Sequence, residues 1–116
     1  MSQSVETVER YMEAFRRNDH SAILACLTAD VEWIVPGVFH VHGLDAFQRE
    51  IVGDGALPCP EITVNRTVEA PNVVVAEGIV RAKRVDGTQI ILAMCDVFDM
   101  RDGRIRRLTS YLMPTT

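Results

Sequence analysis

No stretch of the chain has the roughly eighteen uninterrupted apolar residues that a membrane-spanning helix needs, and the N-terminus is too polar for a signal peptide. A cytoplasmic location is the expectation. Charge of one sign is also scarce: 12 basic residues against 16 acidic ones give a net charge of −4, which argues against a nucleic-acid surface. Arg101, Arg104, Arg106 and Arg107 do cluster, but Asp99 and Asp102 lie among them, as at a solvated hairpin end. Cysteine is sparse. Cys26, Cys59 and Cys95 are odd in number and widely spaced, with no CxxC pair, so neither a disulfide framework nor a zinc site is indicated. Cys26 and Cys95 read as small core residues, and Cys59, between Pro58 and Pro60, as an exposed thiol. Glycine-rich phosphate loops, a Ser/His/Asp order around a nucleophile elbow, and a Cys/His pair with local support are all missing. Nothing in the chain implies a cofactor.

What is present is enough for one core. At 116 residues, 47% hydrophobic and 24% charged, the chain is a single globular domain, 1–116, that opens on Met1 and is expected to be complete. From Ser4 to Arg17, Val5, Val8, Met12 and Phe15 recur at helical spacing, with Glu6 and Glu9 early and Arg16 and Arg17 late, as the helix dipole favours. Tyr11 falls beside that stripe, so its ring joins the buried face while its hydroxyl needs a partner. Asp19 can cap a short second helix, His20 to Leu27. Val31 to Val35 alternates as a strand ended by Pro36-Gly37, Val38 to Val41 is briefly extended, and Leu44, Phe47 and Ile51 mark a third helix stopped by Gly53-Asp54-Gly55. After a loop over Ala56 to Pro60, strands are expected at Glu61 to Ala70, Val73 to Val85, Thr88 to Arg101 and Arg104 to Met113. The fold class is therefore α+β: three helices and a first strand, then a four-stranded antiparallel meander.

Asp96 stands out in that meander. It lies in the run LAMCDVF, where an unpaired charge must find a partner or shift its pKa. A two-residue turn at Asp86-Gly87 sets Val85 against Thr88, and counting back sets Glu77 against Asp96, Ile79 against Met94, Arg81 against Leu92 and Val75 against Phe98. Two neighbouring carboxylates on an apolar face would form an acid/base pair, or one protonated acid that donates a hydrogen bond; the plainer alternative is an ion pair with Arg81. The opposite face, with Val74, Ala76, Gly78, Val80, Ile91, Ala93, Cys95 and Val97, is small and apolar, and is expected to pack on a second copy of the chain. At the next hairpin a two-residue Asp102-Gly103 turn would aim Thr109, Tyr111 and Met113 at the Asp96 face. A three-residue loop would aim Ser110 and Leu112 there. Spacing leaves that open. His40 and His42 share one side of an extended segment; as metal ligands they would need Glu32, Glu77 or Asp96 as well, and no motif joins them, so no metal site is assigned. His40, near Trp33 and Phe39, is the better candidate for a base at neutral pH. Trp33 serves equally as core or as a ligand platform.

The pieces VERYMEAFRRND, ADVEWIVPG, HGLDAFQREI and CDVFDMRDGRIRRLTSYL, in this order and spacing over essentially the whole chain, resemble the NTF2-like superfamily, in particular its SnoaL-like and ketosteroid-isomerase-like members. The resemblance implies a cone: a curved, mostly antiparallel sheet wrapped around three N-terminal helices, an apolar pocket for a small hydrophobic molecule, and a homodimer through the outer sheet face. It matches Tyr11 and Asp96 to the tyrosine and protonated aspartic acid that form the oxyanion hole of ketosteroid isomerases. The proton-shuttling aspartate of those enzymes is replaced by Val35, which leaves His40, Glu32 or Glu77 as the base. The candidates for the pocket wall are Phe15, Leu27, Trp33, Val35, Ile51, Ile79, Met94, Phe98, Ser110 and Leu112. The Arg and paired Asp residues of limonene-epoxide-hydrolase-like members are not matched; Ser110 takes the final-strand place. Three functions follow: an isomerase- or cyclase-type enzyme on a carbonyl compound, a non-catalytic binder of a small apolar molecule, or a structural module whose cone is filled by Phe15, Trp33, Met94 and Phe98.

Overall fold

The computed structural model describes residues 2–52, 60–84 and 86–115. Helix α1 (Gln3–Arg16) starts where Ser2 caps it, its side chain accepting from the Val5 amide at 3.1 Å, and α2 (His20–Ala25) starts under the equivalent cap from Asp19 to Ala22. Strand β1 (Leu27–Val35), strand β2 (Phe39–His42) and helix α3 (Leu44–Val52) follow, then β3 (Glu61–Ala70), β4 (Val73–Lys83), β5 (Gln89–Arg101) and β6 (Arg104–Pro114). The six strands form one sheet in the order β2-β1-β6-β5-β4-β3, antiparallel throughout except for the parallel β1–β6 pair. The helices lie on one face of it. Val8, Tyr11 and Met12 of α1 and Phe47 and Ile51 of α3 pack on Val31, Trp33, Val74, Ala76, Met94, Phe98 and Leu108 from the strands. The α+β cone expected from the sequence is thus the observed fold. No helix among the described residues is long and apolar enough to cross a membrane.

Three local expectations change. The second helix stops at Ala25, two residues short, because the Ile105 amide donates to the Cys26 carbonyl at 2.8 Å and pulls Leu27 into the β1–β6 pairing. The β4–β5 hairpin closes one residue further out than a two-residue turn would. Arg84, not Val85, bonds Thr88 (2.9 Å), with Gly87 at φ +88° in the tip and the Asp86 carboxylate accepting from the Thr88 amide. A slip of one residue turns a strand over. Val74, Ala76 and Gly78 therefore face inward with Met94, Asp96 and Phe98, while Glu77 and Ile79 face outward. The partners become Gly78–Met94, Val80–Leu92, Val74–Phe98 and Ala76–Asp96. Half of the outer face expected from the sequence is thereby exchanged: Val73, Val75, Glu77 and Ile79 replace Val74, Ala76, Gly78 and Val80 beside Ala93, Cys95 and Val97. Cys95, which the alternation of β5 turns away from Asp96, is half-buried on the outer face and not a core residue, whereas Cys26 is core.

The β5–β6 hairpin combines both alternatives left open above. Asp102 (φ +52°) and Gly103 (φ +78°) form a two-residue turn between Arg101 and Arg104, and one extra residue on β6, Arg106, then bulges between the Met100–Ile105 and Asp99–Arg107 pairs. The bulge restores the other parity, so Ser110 lies opposite Asp96 and Leu112 opposite Met94. The stop of the third helix at Gly53-Asp54-Gly55, the loop that follows, Cys59 and the position of Val85 lie outside the described residues.

Candidate functional site

Helical spacing sends Tyr11 into the cone, and strand alternation sends Asp96 toward it from the sheet; they are 3% and 6% exposed. The Tyr11 ring meets Phe98 edge-on at 5.6 Å, Phe15 at 5.7 Å and Phe47 at 6.5 Å, and Trp33 stacks on Phe47 at 4.3 Å and crosses Phe15 at 6.3 Å. Burial pushes the Asp96 carboxyl up to about 7, with the Ser110 hydroxyl pulling the other way. Its Oδ1 is buried and meets no hydrogen-bonding protein group among the described residues. The Tyr11 phenol is likewise held well above its usual value, first by burial, then by the charge of Asp96 and of Cys26. Phenol and carboxyl are thus close enough to repel when both are ionised, yet no hydrogen bond joins them among the described residues. Below about pH 7 the pair offers two proton donors in an apolar setting, an arrangement suited to a carbonyl or enolate oxygen.

A third polar element completes the site. The Trp33 indole donates to Ser110 Oγ at 3.2 Å, fully inside the protein, and Ser110 faces Asp96 across the β5–β6 pair. This link was not visible in the sequence because the bulge at Arg106, which decides whether Ser110 faces inward, carries no turn signal of its own. Phe15, Leu27, Val35, Ile51, Met94 and Phe98 all belong to or pack against the same core, with Val35 buried at the end of β1. Leu112 lies on the inward side of β6 but near its exposed end.

The candidate bases are elsewhere. Glu77 is on the outer face opposite Cys95, paired with Arg66 at 3.3 Å, and Ile79 is on the same outer face. His40 is exposed on β2 and bonds Glu32 at 2.8 Å; Glu32 points out of the sheet toward Arg107 (3.5 Å), and the His40 hydrogen bond holds its carboxyl below the ordinary range. None of His40, Glu32 and Glu77 meets Asp96. The reason is parity in each case: inward residues of β1 are Val31, Trp33 and Val35, and their neighbours face out. Among the described residues no three His, Cys, Asp or Glu side chains are grouped to hold a metal. An open groove of about 510 Å³ runs between α1 and β3–β4, with Val5, Val8, Met12, Val64 and Ala76 on its walls and Glu9, Glu13 and Arg16 at its rim. Ala76 is the cross-strand neighbour of Asp96.

A model of the SnoaL-like domain matches residues 8–108. No curated protein matches the chain. Among solved structures, TerC co-crystallised with polyporic acid is 23% identical over 94% of this chain and 90% of that one, with a TM-score of 0.85. An NTF2-like protein of unknown function from Burkholderia pseudomallei is 26% identical, covering 96% of this chain and 91% of that one, with a TM-score of 0.85. An LEH-like epoxide hydrolase from Mycobacterium tuberculosis is 20% identical over 95% and 82%, with a TM-score of 0.80.

Proposed function

The chain belongs to the SnoaL-like domain family and has the NTF2-like fold, and from that premise we propose that it binds a small, largely apolar molecule in the cone by an oxygen that accepts hydrogen bonds from Tyr11 and neutral Asp96. The observation that carries this reading is the buried Oδ1 of Asp96, without a protein partner among the described residues, beside a buried phenol. A carbonyl oxygen in the cone would satisfy both donors at once. Pairing through the outer sheet face with a second copy is part of the same proposal.

A second reading, isomerase- or cyclase-type catalysis on a carbonyl compound, is favoured by the burial of Asp96, which pushes its carboxyl up to about 7, where an acid can take up and return a proton. With Glu32, His40 and Glu77 outside and Val35 apolar, Asp96 would be the acid–base group and Tyr11 would hold the enolate oxygen. Epoxide opening on the pattern of the epoxide-hydrolase-like neighbour has less support, because Ser110 stands where such chemistry would need a charged group.

The test is calorimetric titration with a panel of aryl ketones and phenols at pH 6. Tyr11→Phe and Asp96→Asn should each weaken binding about tenfold or more, the worth of one hydrogen bond to a buried polar group. Binding that is indifferent to both substitutions would sink the proposal. Proton–deuterium exchange at the carbon next to the bound carbonyl, followed by NMR, separates catalysis from binding alone.

A further inference from the structure

We propose that Ser110, fixed by Trp33, decides which oxygen of Asp96 carries the proton: the serine hydroxyl donates to Oδ2 and leaves Oδ1 as the atom that donates to a ligand. This rests on the reading of Asp96 as a ligand anchor and makes Trp33 and Ser110 its positioning residues.

An indole N–H can only donate, and that of Trp33 donates to Ser110 Oγ at 3.2 Å. A serine hydroxyl holds a single proton and two lone pairs, and with one lone pair engaged by the indole its proton is free to go to another acceptor. Directly across the strand pair is the carboxyl of Asp96. Among the described residues Oδ1 has no protein partner and the serine hydroxyl donates to no other group, so we assign the serine proton to Oδ2. An oxygen accepting from Ser110 is the carbonyl-like oxygen of a neutral acid, and the acid proton therefore sits on Oδ1. The chain from Trp33 through Ser110 to Asp96 runs in one direction. It favours a ligand oxygen that has no proton of its own, such as a ketone, enolate or phenolate.

The groups facing Asp96 are few. Tyr11 comes from α1, Ala76 from β4 and Ser110 from β6 with Trp33 of β1 behind it, and among the described residues none of these is a charged side chain. Cys26 bears on the phenol and not on the acid.

The experiment needs no ligand, so its outcome is independent of whether a carbonyl compound binds. The carboxyl carbon of Asp96 is titrated by NMR in the ligand-free wild type, Ser110→Ala, Ser110→Thr and Trp33→Phe. Removing a hydrogen bond to the ionised acid should raise the Asp96 pKa in Ser110→Ala by about one unit. Ser110→Thr, which keeps the hydroxyl, should stay with the wild type, and Trp33→Phe should move upward by less than Ser110→Ala because the hydroxyl is freed to turn away. If Ser110→Ala does not fold, Ser110→Cys, a weaker donor, serves in its place. A wild-type titration in Ser110→Ala or Ser110→Cys overturns the role of the serine, and a wild-type titration in Trp33→Phe overturns that of the indole. A purely structural role for either residue would change stability without moving this pKa.

Discussion

Between about pH 4, where an unfolded aspartate titrates, and about 7, where Asp96 titrates in the fold, the unfolded chain gives up a proton that the native state keeps. Stability therefore falls as the pH rises through that window. The full contribution is present below the unfolded value and is gone above the folded one, with a slope of ~1.4 kcal/mol per pH unit from this one group. Asp96→Asn should remove that slope, so urea unfolding at pH 5 and pH 8 should show the variant gaining on the wild type by a few kcal/mol at the higher pH, about the product of slope and window. Parallel wild-type and variant curves would mean that Asp96 is not held neutral. The sequence made this residue legible because an acid flanked by Met94, Cys95, Val97 and Phe98 has no ordinary explanation. It could not reveal the indole–serine link, since Trp33 and Ser110 are 77 positions apart and their meeting depends on a bulge.

At the scale of elements, helices and strands followed from periodicity, but facing did not, and facing is what a site is made of. Asp86-Gly87 satisfies both a two-residue and a longer hairpin loop, and the difference of one residue moved Glu77 and Ile79 to the opposite side of the sheet. A second constraint on register was available at Gly78. A Cβ there would run into the backbone carbonyl of Thr63 on β3, where the pairing shifts at Asn65, so only glycine fits this inward position. Gly78→Ala should accordingly destabilise the protein by about 1–3 kcal/mol, as overpacking against backbone does. The measurement is the urea midpoint; a shift equivalent to less than ~0.5 kcal/mol, the range of an indifferent surface change, would contradict the close β3–β4 approach.

The whole molecule leaves one broad face of its sheet without helices. The corrected register places Val73, Val75, Ile79, Ile91 and Val97 there, half-buried, with Tyr111 and Met113 53% and 67% exposed beside them. Pro36, Ala93, Cys95, Tyr111 and Met113 line a shallow depression of about 410 Å³ on this face. The order of elements was enough to expect an α+β domain, while the cone itself was what the resemblance to the NTF2-like superfamily implied. The sequence was also enough to expect a second copy on the outside, since strands apolar on both faces cannot leave one side in water without risk of sticking. The expectation of a second copy keeps its basis after the register slip because β4 is apolar at odd and even positions alike from Val73 to Val80, apart from Glu77, whose pairing with Arg66 carries its charge toward the edge strand. We therefore expect a dimer of twice 13.0 kDa by light scattering at micromolar concentration. Tyr111→Glu, which adds a charge to the exposed face and touches nothing in the core, should give a folded monomer with an unchanged circular dichroism spectrum. A wild-type monomer under the same conditions would leave this face to some other partner and remove the second copy from the proposal. The ligand site would stand regardless, because Tyr11, Asp96, Trp33 and Ser110 all come from one chain and face its interior.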